Sequence, residues 1–408
     1  MNENLNRFLR YVKIDTQSDE SSLSVPSAAK ELDLTRLLQK ELAEMGIASS
    51  INEFGILYGK LDGDPTLDPI GLNAHVDTAS ECSGKDVKPQ IIKNYDGGVI
   101  RLNDEYFMSP KEFPTLADHI GHDLVVTSGD TLLGADDKAG VAIIMAVLAY
   151  FASHPEVKHH PICFCFTPDE EIGRGPDHFD AETFGAKYAY TIDGSRIDEI
   201  AYETFNAAHA DIVIHGISIH PGEAKGKLVN AQTVAFRFDS LLPSSERPET
   251  TDGHEGFYHL VGIRGNVDTA SLHYILRDHD RGLLEKRKTV IQEAAESLEK
   301  LYPGIKIDVT IKDDYRNMKE VLDVHPEAVE KATAAFKSLG IKPVYPPIRG
   351  GTDGATFSFK GCPTPNLGTG SYNHHGRFEY LSVPEFDQMI EIVKTMLMYG
   401  KEASNRKQ

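Results

Sequence analysis

The stretch GLNAHVDT, residues 71–78, closes an apolar run with an imidazole and a carboxylate two residues apart, His75 and Asp77. The run begins at Ile70 and has the composition of a buried β-strand, in which any polar group has to be paired. Residues two apart on a strand point to the same side, so His75 and Asp77 are expected to lie together at the strand end. Taken alone, they could form a simple hydrogen-bonded pair. Whether they belong to a functional site depends on which residues follow the other predicted strands.

Four other places in the sequence put acidic or histidine side chains next to an apolar run. Three follow predicted strands and one lies where a loop enters an apolar helix: Glu170 and Glu171 after ICFCFTPD, Asp193 after YAYTI, His374 and His375 after PNLGTGSYN, and Asp136 and Asp137 in LLGADDKAG. Each has a structural explanation alone, such as a helix N-cap, a solvated turn or a loop histidine. Because the carboxyl ends of strands in open α/β sheets converge on one crevice, the five together predict a common site there.

The chemistry of these side chains indicates metal ions. Carboxylates massed in a crevice repel one another and are costly to desolvate unless cations compensate them. The donors are imidazole and carboxylate without cysteine, and they exceed what one tetrahedral zinc needs. Two histidines and three carboxylates suit two divalent cations that share a carboxylate, about 3.5–4 Å apart, as in hydrolytic sites. Hydrolysis also needs an unligated base, which Glu170 or Glu171 supplies, and spacing alone leaves both assignments open.

The order of predicted elements indicates an α/β fold with an insertion. Helices near residues 3–15 and 27–46 precede the apolar runs GILYGKL, PIGLNA, HPICFCF and AKYAYTI, and another helix starts near Asp136. From residue 208, alternating strands and amphipathic helices predict a β-α-β-β-α-β unit of the ferredoxin-like kind. We therefore predict a catalytic domain formed by residues 1–207 and 320–408, with an inserted domain at 208–319.

The composition of the chain limits which binding partners and which cellular location are expected. The net charge of −20, from 42 basic and 62 acidic residues, argues against nucleic acid and against anionic membranes. The first residues lack the apolar core of a signal peptide, and the longest apolar stretch, residues 140–152, is shorter than the roughly 20 residues that span a bilayer. The four cysteines form no C-x-x-C pair and are expected to be reduced thiols. These features predict a cytoplasmic protein.

The segments AHVDT, LLGADDKAG, FTPDEEIG, TIDG and NHHG, in this order, resemble the co-catalytic metallopeptidases related to carboxypeptidase G and acetylornithine deacetylase. Further segments, among them TFNAA, HPGEAKGKLVNA, EGFYHL, YILRDHDR and IRGGTDGA, are similar to those of the tripeptide aminopeptidases of that family. The resemblance covers nearly the whole chain. It implies a mixed-sheet di-zinc peptidase domain with a ferredoxin-like lid, two Zn²⁺ ions per chain and small peptide substrates. Because the predicted ligands are all nitrogen or oxygen donors, we expect that Co²⁺ or Mn²⁺ can replace Zn²⁺. A homodimer is the assembly to consider.

The resemblance also implies a role for individual residues. The metal ligands would be His75, Asp136, Glu171, Asp193 and His375. Asp136 would bridge the ions, with His75 and Asp193 on one and Glu171 and His375 on the other. Asp77 would orient His75, Glu170 would be the general base, and the Asp136–Asp137 peptide bond would be cis. In the inserted domain, His220 would reach the scissile carbonyl when the domains close. Arg277 and Arg349 would hold the substrate carboxylate, unless they form ordinary salt bridges.

The function expected from these residues is removal of the first residue of a tripeptide by a metal-bound hydroxide, with Glu170 as general base. One alternative is a related di-zinc amidohydrolase, namely a dipeptidase, a carboxypeptidase or a deacylase of N-acyl amino acids. Another is a non-catalytic metal-binding or peptide-binding relative. The presence of Glu170 and Asp77 favours an enzyme, because a binding protein needs no unligated base.

Overall fold

The structure is a computed structural model that describes residues 3–399. Its α-helices are α1 Glu3–Tyr11, α2 Glu31–Glu44, α3 Ala135–Ser153, α4 Ala181–Phe184, α5 Ala231–Leu241, α6 Arg281–Leu301, α7 Lys319–Leu322, α8 Glu327–Ser338, α9 Asp353–Phe359 and α10 Val383–Leu397. Its strands are β1 Ser49–Ile51, β2 Leu57–Leu61, β3 Ile70–His75, β4 Gln90–Ile92, β5 Ile100–Arg101, β6 Phe107–Met108, β7 Leu124–Val126, β8 Ile162–Thr167, β9 Tyr188–Gly194, β10 Ile200–Ala201, β11 Asn206–His215, β12 Phe257–Gly265, β13 Thr269–Asp278, β14 Lys306–Tyr315, β15 Asn366–Gly368, β16 Ser371–Tyr372 and β17 Tyr380–Ser382.

The described residues form two compact units. The first comprises residues 3–202, 320–346 and 352–399, and the second comprises residues 203–319 and 347–351. Residues 203–207 and 347–351, which we predicted as part of the catalytic domain, belong to the second unit. Strand β11 begins at Asn206, and Ile348 pairs with Thr204 and donates its N–H to the carbonyl oxygen of Glu203. The ends of the predicted catalytic domain, residues 1–2 and 400–408, lie outside the described residues.

The first unit is built on a seven-stranded mixed sheet with the order β1-β2-β8-β3-β9-β15-β10. The strands β8, β3, β9 and β15 are parallel, whereas β1, β2 and β10 join them antiparallel. Every residue of β3 and β8 is buried. Both faces of the sheet are covered, which explains why these strands appear in the sequence as uninterrupted apolar runs.

Side chains of β8 show how the two faces are filled. Phe164 and Phe166 point into the larger core, which includes residues of α1, α3, α8 and α10, whereas Cys163 and Cys165 point into a second core with residues of α4 and α9. Helix α3 lies close against β9, because a Cβ atom at Gly140 would come within 1.9 Å of the carbonyl oxygen of Ile192. This close approach brings the start of α3 near the end of β9.

A smaller antiparallel sheet, with the order β16-β17-β7-β4, also belongs to the first unit and was not predicted from the sequence. Its strands are only two or three residues long, and β7 pairs with β17 across more than 250 residues of sequence. Such short segments lack a readable periodicity, and sequence proximity gives no hint of their pairing.

The second unit has the predicted element order β11-α5-β12-β13-α6-β14 and the sheet order β12-β13-β11-β14. All its strand pairs are antiparallel. One face of the sheet is buried by α5 and α6, and burial alternates residue by residue along β13. The ferredoxin-like prediction is therefore confirmed.

Among residues 3–399, no helix combines the length and apolar composition that a membrane crossing requires. The cytoplasmic location stays a prediction.

Candidate metal centre and active site

The strand ends that carry the predicted site residues converge as expected from the parallel sheet. Strand β3 ends at His75, which pairs in register with Thr167 at the end of β8, three residues before Glu170. Asp193 lies near the end of β9, the other neighbour of β3. The start of α3 adds Asp136, since this helix packs on β3 and β9.

Asp136 lies between the two predicted histidine ligands. Its Oδ1 is 3.0 Å from Nε2 of His75, and its Oδ2 is 3.3 Å from Nε2 of His375. On the His75 side, Oδ1 of Asp193 lies 3.4 Å from Nε2 of His75. On the other side, Oε2 of Glu171 lies 3.0 Å from Nε2 of His375. The structure therefore brings the five predicted ligands together, with one oxygen of Asp136 toward each half.

Asp137 and His374 also lie in this cluster and have other partners. The carboxylate of Asp137 is fully buried and accepts the backbone N–H groups of His75 and Gly140. His374 contacts Oδ2 of Asp136 through Nδ1, at 3.4 Å, while its Nε2 is 2.9 Å from the hydroxyl of Ser371. The predicted cis peptide bond between Asp136 and Asp137 is confirmed.

The donor set fits divalent cations. Donor atoms of two overlapping triads lie within 4.8 Å of one another: His75, Asp136 and Glu171, and His75, Asp137 and Asp193. Oε1 of Glu171 is buried and has no hydrogen-bond partner among the described residues, so it is available as a ligand atom for a cation. All the donors are nitrogen or oxygen atoms, which Zn²⁺, Co²⁺ and Mn²⁺ accept. The roles of the individual ligands stay predictions.

The electrostatics of the cluster also require positive charge. Burial, reinforced by the charge of Asp136, raises the pKa of Glu171 to about 7. Burial raises the pKa of Asp193 to about 6, although His75 attracts its charged form. Hydrogen bonds to Asp136 and Glu171 raise the pKa of His375 to about 11. A divalent cation bound among these carboxylates would compensate their charge and displace such protons.

The predicted orienting acid and general base lie on the two sides of His75. Oδ1 of Asp77 is 3.3 Å from Nδ1 of His75, and the fully buried Asp77 carboxylate also accepts the backbone N–H groups of Glu170 and Glu171. Oε2 of Glu170 is 3.9 Å from Nε2 of His75. Burial raises the pKa of the Glu170 carboxyl well above its usual range. Asp77 thus fixes both the imidazole and the backbone that carries the glutamate pair.

Sequence reasoning missed two glutamates next to the cluster. Glu379 is buried and accepts three backbone N–H groups from the turn that leads to Asp136. Glu81, which is exposed, lies 3.3 Å from Nδ1 of His375. Glu379 follows His375 by four residues and Glu81 follows Asp77 by four, so proximity to the motifs was the available signal.

The three predicted substrate-binding residues all lie in the second unit. His220 precedes a short 3-10 helix, and its Nδ1 accepts the N–H of Gly222 at 3.1 Å. Nη1 of Arg277 donates to the carbonyl oxygens of Ala208 and Leu276 at 3.1 and 3.0 Å and also lies 3.5 Å from Oδ2 of Asp314. Arg277 thus forms the kind of salt bridge that the sequence left open as its alternative role.

Arg349 is bound more tightly within this unit. Its Nη1 donates to the carbonyl oxygens of Gly253 and Glu255, and its Nη2 donates to the hydroxyl of Thr251, all at 2.9 Å. Its guanidinium also lies over the ring of Phe205, at 5.2 Å. These contacts give Arg349 a structural role in holding residues 347–351 against the second unit.

Comparisons with known proteins agree with this architecture. The signature of Peptidase family M20/M25/M40 matches residues 131–399. The chain is 47% identical over 410 residues to Peptidase T of Desulfitobacterium hafniense (strain DSM 10664 / DCB-2), covering 99% of this chain and 100% of that one. The fold is similar to those of the aminopeptidase PepT of Bacillus cereus ATCC 10987, with a TM-score of 0.77 and 24% identity over 97% of each chain. It is also similar to that of a tripeptidase of Staphylococcus aureus, with a TM-score of 0.78 and 20% identity over 97% of this chain and 96% of that one. The chain is therefore an enzyme of the peptidase class and belongs to Peptidase family M20/M25/M40.

Proposed function

We propose that the chain is a metal-dependent aminopeptidase that removes the first residue of tripeptides, and that His75, Asp136, Glu171, Asp193 and His375 hold two Zn²⁺ ions. The observation that carries the proposal is the arrangement of Asp136, whose Oδ1 faces His75 and whose Oδ2 faces His375, the two predicted histidine ligands. The tripeptide specificity is supported by the 47% identical relative, Peptidase T, and by the similar fold of a tripeptidase.

Within this proposal, divalent cations supply Lewis acidity and lower the pKa of water. Glu170 accepts the proton of the attacking water and passes it to the leaving amine. Its carboxylate suits that role, because it accepts no hydrogen bond from the described residues and burial raises its pKa. Asp77 holds the imidazole of His75 through Nδ1, which leaves Nε2 available as a metal ligand.

His220 and Arg277 are proposed to bind the substrate from the second unit. Because Gly222 donates to Nδ1 of His220, the neutral imidazole carries its proton on Nε2 and can donate it to a carbonyl oxygen. Among the described residues, Nε and Nη2 of Arg277 have no hydrogen-bond partner, so this edge of the guanidinium can bind a carboxylate. Arg349 is the weaker candidate, since both its Nη atoms already donate within the unit.

A panel of unblocked di-, tri- and tetrapeptides, with N-acetylated and C-amidated tripeptides as matched controls, tests the specificity. We expect the highest kcat/KM for unblocked tripeptides, with release of the first residue. An Arg left unpaired costs on the order of 2–5 kcal/mol, so the C-amidated control should fall at least about 30-fold in kcat/KM. Equal turnover of N-acetylated tripeptides would favour the deacylase or carboxypeptidase alternative. Absence of hydrolysis in the metal-loaded protein would favour the non-catalytic one.

A further inference from the structure

We infer that Glu379 is a positioning residue, which fixes Asp136 at its distance from His375 and thereby sets the affinity of one of the two metal ions. The inference rests on the metal centre of the proposed function, and it concerns a residue that is neither a ligand nor a base.

The contacts of Glu379 carry the inference. Its side chain is buried, with 1% of the residue exposed. Oε2 accepts the backbone N–H groups of Leu133 and Gly134, both at 2.7 Å, and Oε1 accepts the N–H of Asp136 at 2.9 Å. Both carboxylate oxygens are thus used, and all three donors belong to the turn that ends at Asp136, the proposed shared ligand.

The turn needs such a partner. Residues 133–136 lie at the start of α3, where backbone N–H groups have no acceptor within the helix. Gly134 has a φ of +78°, so the chain reverses sharply here and the three N–H groups point to one place. A carboxylate at that place satisfies them together, and its charge is favourable near a helix N-terminus.

Glu379 also ties this turn to the segment that carries the other ligand. It lies four residues after His375, and Asn373 closes the segment by donating from Nδ2 to the carbonyl oxygen of Phe378. One short segment therefore presents the imidazole of His375 and holds the backbone of Asp136. The separation of 3.3 Å between Oδ2 of Asp136 and Nε2 of His375 depends on this connection.

Substitution by glutamine separates this role from simple space filling. Gln has the same length but only one acceptor oxygen, so its NH₂ group would meet a backbone N–H at one of the two positions. Glu379→Asp keeps two acceptor oxygens and loses one methylene. Glu385→Gln is the matched control, because Glu385 is also a partly buried carboxylate of the first unit, accepting from Tyr372 and His119 without contact to the turn.

The test is Zn²⁺ titration of each full-length variant against a chromophoric chelator, with the free energy of unfolding measured on the metal-free proteins. Glu379→Gln should bind one of the two ions about 10- to 100-fold more weakly, Glu379→Asp should recover part of that loss, and Glu385→Gln should match the wild type.

Two outcomes would overturn the inference. If Glu379→Gln lowers the stability of the metal-free protein but binds both ions with wild-type affinity, Glu379 is only structural. If the wild type itself binds no pair of Zn²⁺ ions, the proposed metal centre fails and the inference fails with it. The wild-type titration therefore distinguishes the two failures. Should Glu379→Gln not fold, Glu379→Ala takes its place, and wild-type affinity for both ions in that variant would overturn the inference.

Discussion

Glu170 and Glu171 are adjacent in sequence, yet the structure gives them different surroundings, so the same substitution should have different effects. Oε2 of Glu170 lies 3.9 Å from Nε2 of His75, and its carboxylate accepts no hydrogen bond from the described residues. Glu170→Gln therefore removes a proton acceptor without breaking a contact. We expect kcat to fall about 10²- to 10⁴-fold, which corresponds to about 3–5 kcal/mol of activation free energy, with both metal ions retained.

Glu171→Gln should act through the metal. Oε2 of Glu171 lies 3.0 Å from Nε2 of His375, and its Oε1 is buried without a partner among the described residues. Glutamine would replace the proposed anionic ligand with a neutral one, so the affinity for one ion should fall and activity should be recovered in part at high metal concentration.

The assay combines metal content per chain with kcat on an unblocked tripeptide, and each variant serves as the control for the other. The reasoning predicts low kcat at full metal content for Glu170→Gln, and reduced metal content for Glu171→Gln. Reversed metal contents would exchange the two roles. Wild-type kcat in Glu170→Gln would refute its assignment as the base.

Three further predictions follow from the surroundings of other residues. Asp77→Asn should weaken binding of one ion by about 10- to 100-fold in chelator competition, because the imidazole of His75 loses its charged partner. Arg277→Ala should raise KM for unblocked tripeptides and leave kinetics on C-amidated ones unchanged, and an equal effect on both would exclude carboxylate binding. Burial, together with the charges of Asp77 and Asp169, raises the pKa of Glu31 to about 9. The native state therefore retains a proton that the unfolded chain loses above about pH 4.5, so the free energy of unfolding should fall as pH rises from about 5 to 9. Urea denaturation of the metal-free protein should show this fall, and Glu31→Gln should make it less steep, because Glu171 and Asp193 also have raised pKa values.

The fold could be predicted where the local pattern of apolar and polar residues indicates which residues are buried. The apolar runs predicted strands β2, β3, β8 and β9 of the seven-stranded sheet. The alternating pattern predicted the strands of the sheet in the second unit. Helix ends were less accurate: the first helix ends at Tyr11 instead of residue 15, and the second spans Glu31–Glu44 instead of 27–46. The backbone N–H of Ser27 is bound by the distant Asp169, a contact that local patterns cannot report.

The residues of the site likewise fall into two groups, those that the local sequence indicates and those that it does not. The predicted ligands could be found because each follows an apolar strand or opens an apolar helix, so local sequence marks them. Glu379 was not predicted, because its partners Leu133, Gly134 and Asp136 lie more than 240 residues away, and its position four residues after His375 does not by itself distinguish it from a surface acid. Likewise, residues 347–351 join the second unit through the pairing of Ile348 with Thr204, which is a tertiary contact.

The central claim is that Asp136 bridges two metal ions, and anomalous X-ray scattering at the zinc edge from crystals of the metal-loaded protein tests it most directly. We predict two anomalous peaks per chain, one between Asp136, His75 and Asp193 and the other between Asp136, Glu171 and His375. A single peak, or two peaks of which one does not contact Asp136, would contradict the claim.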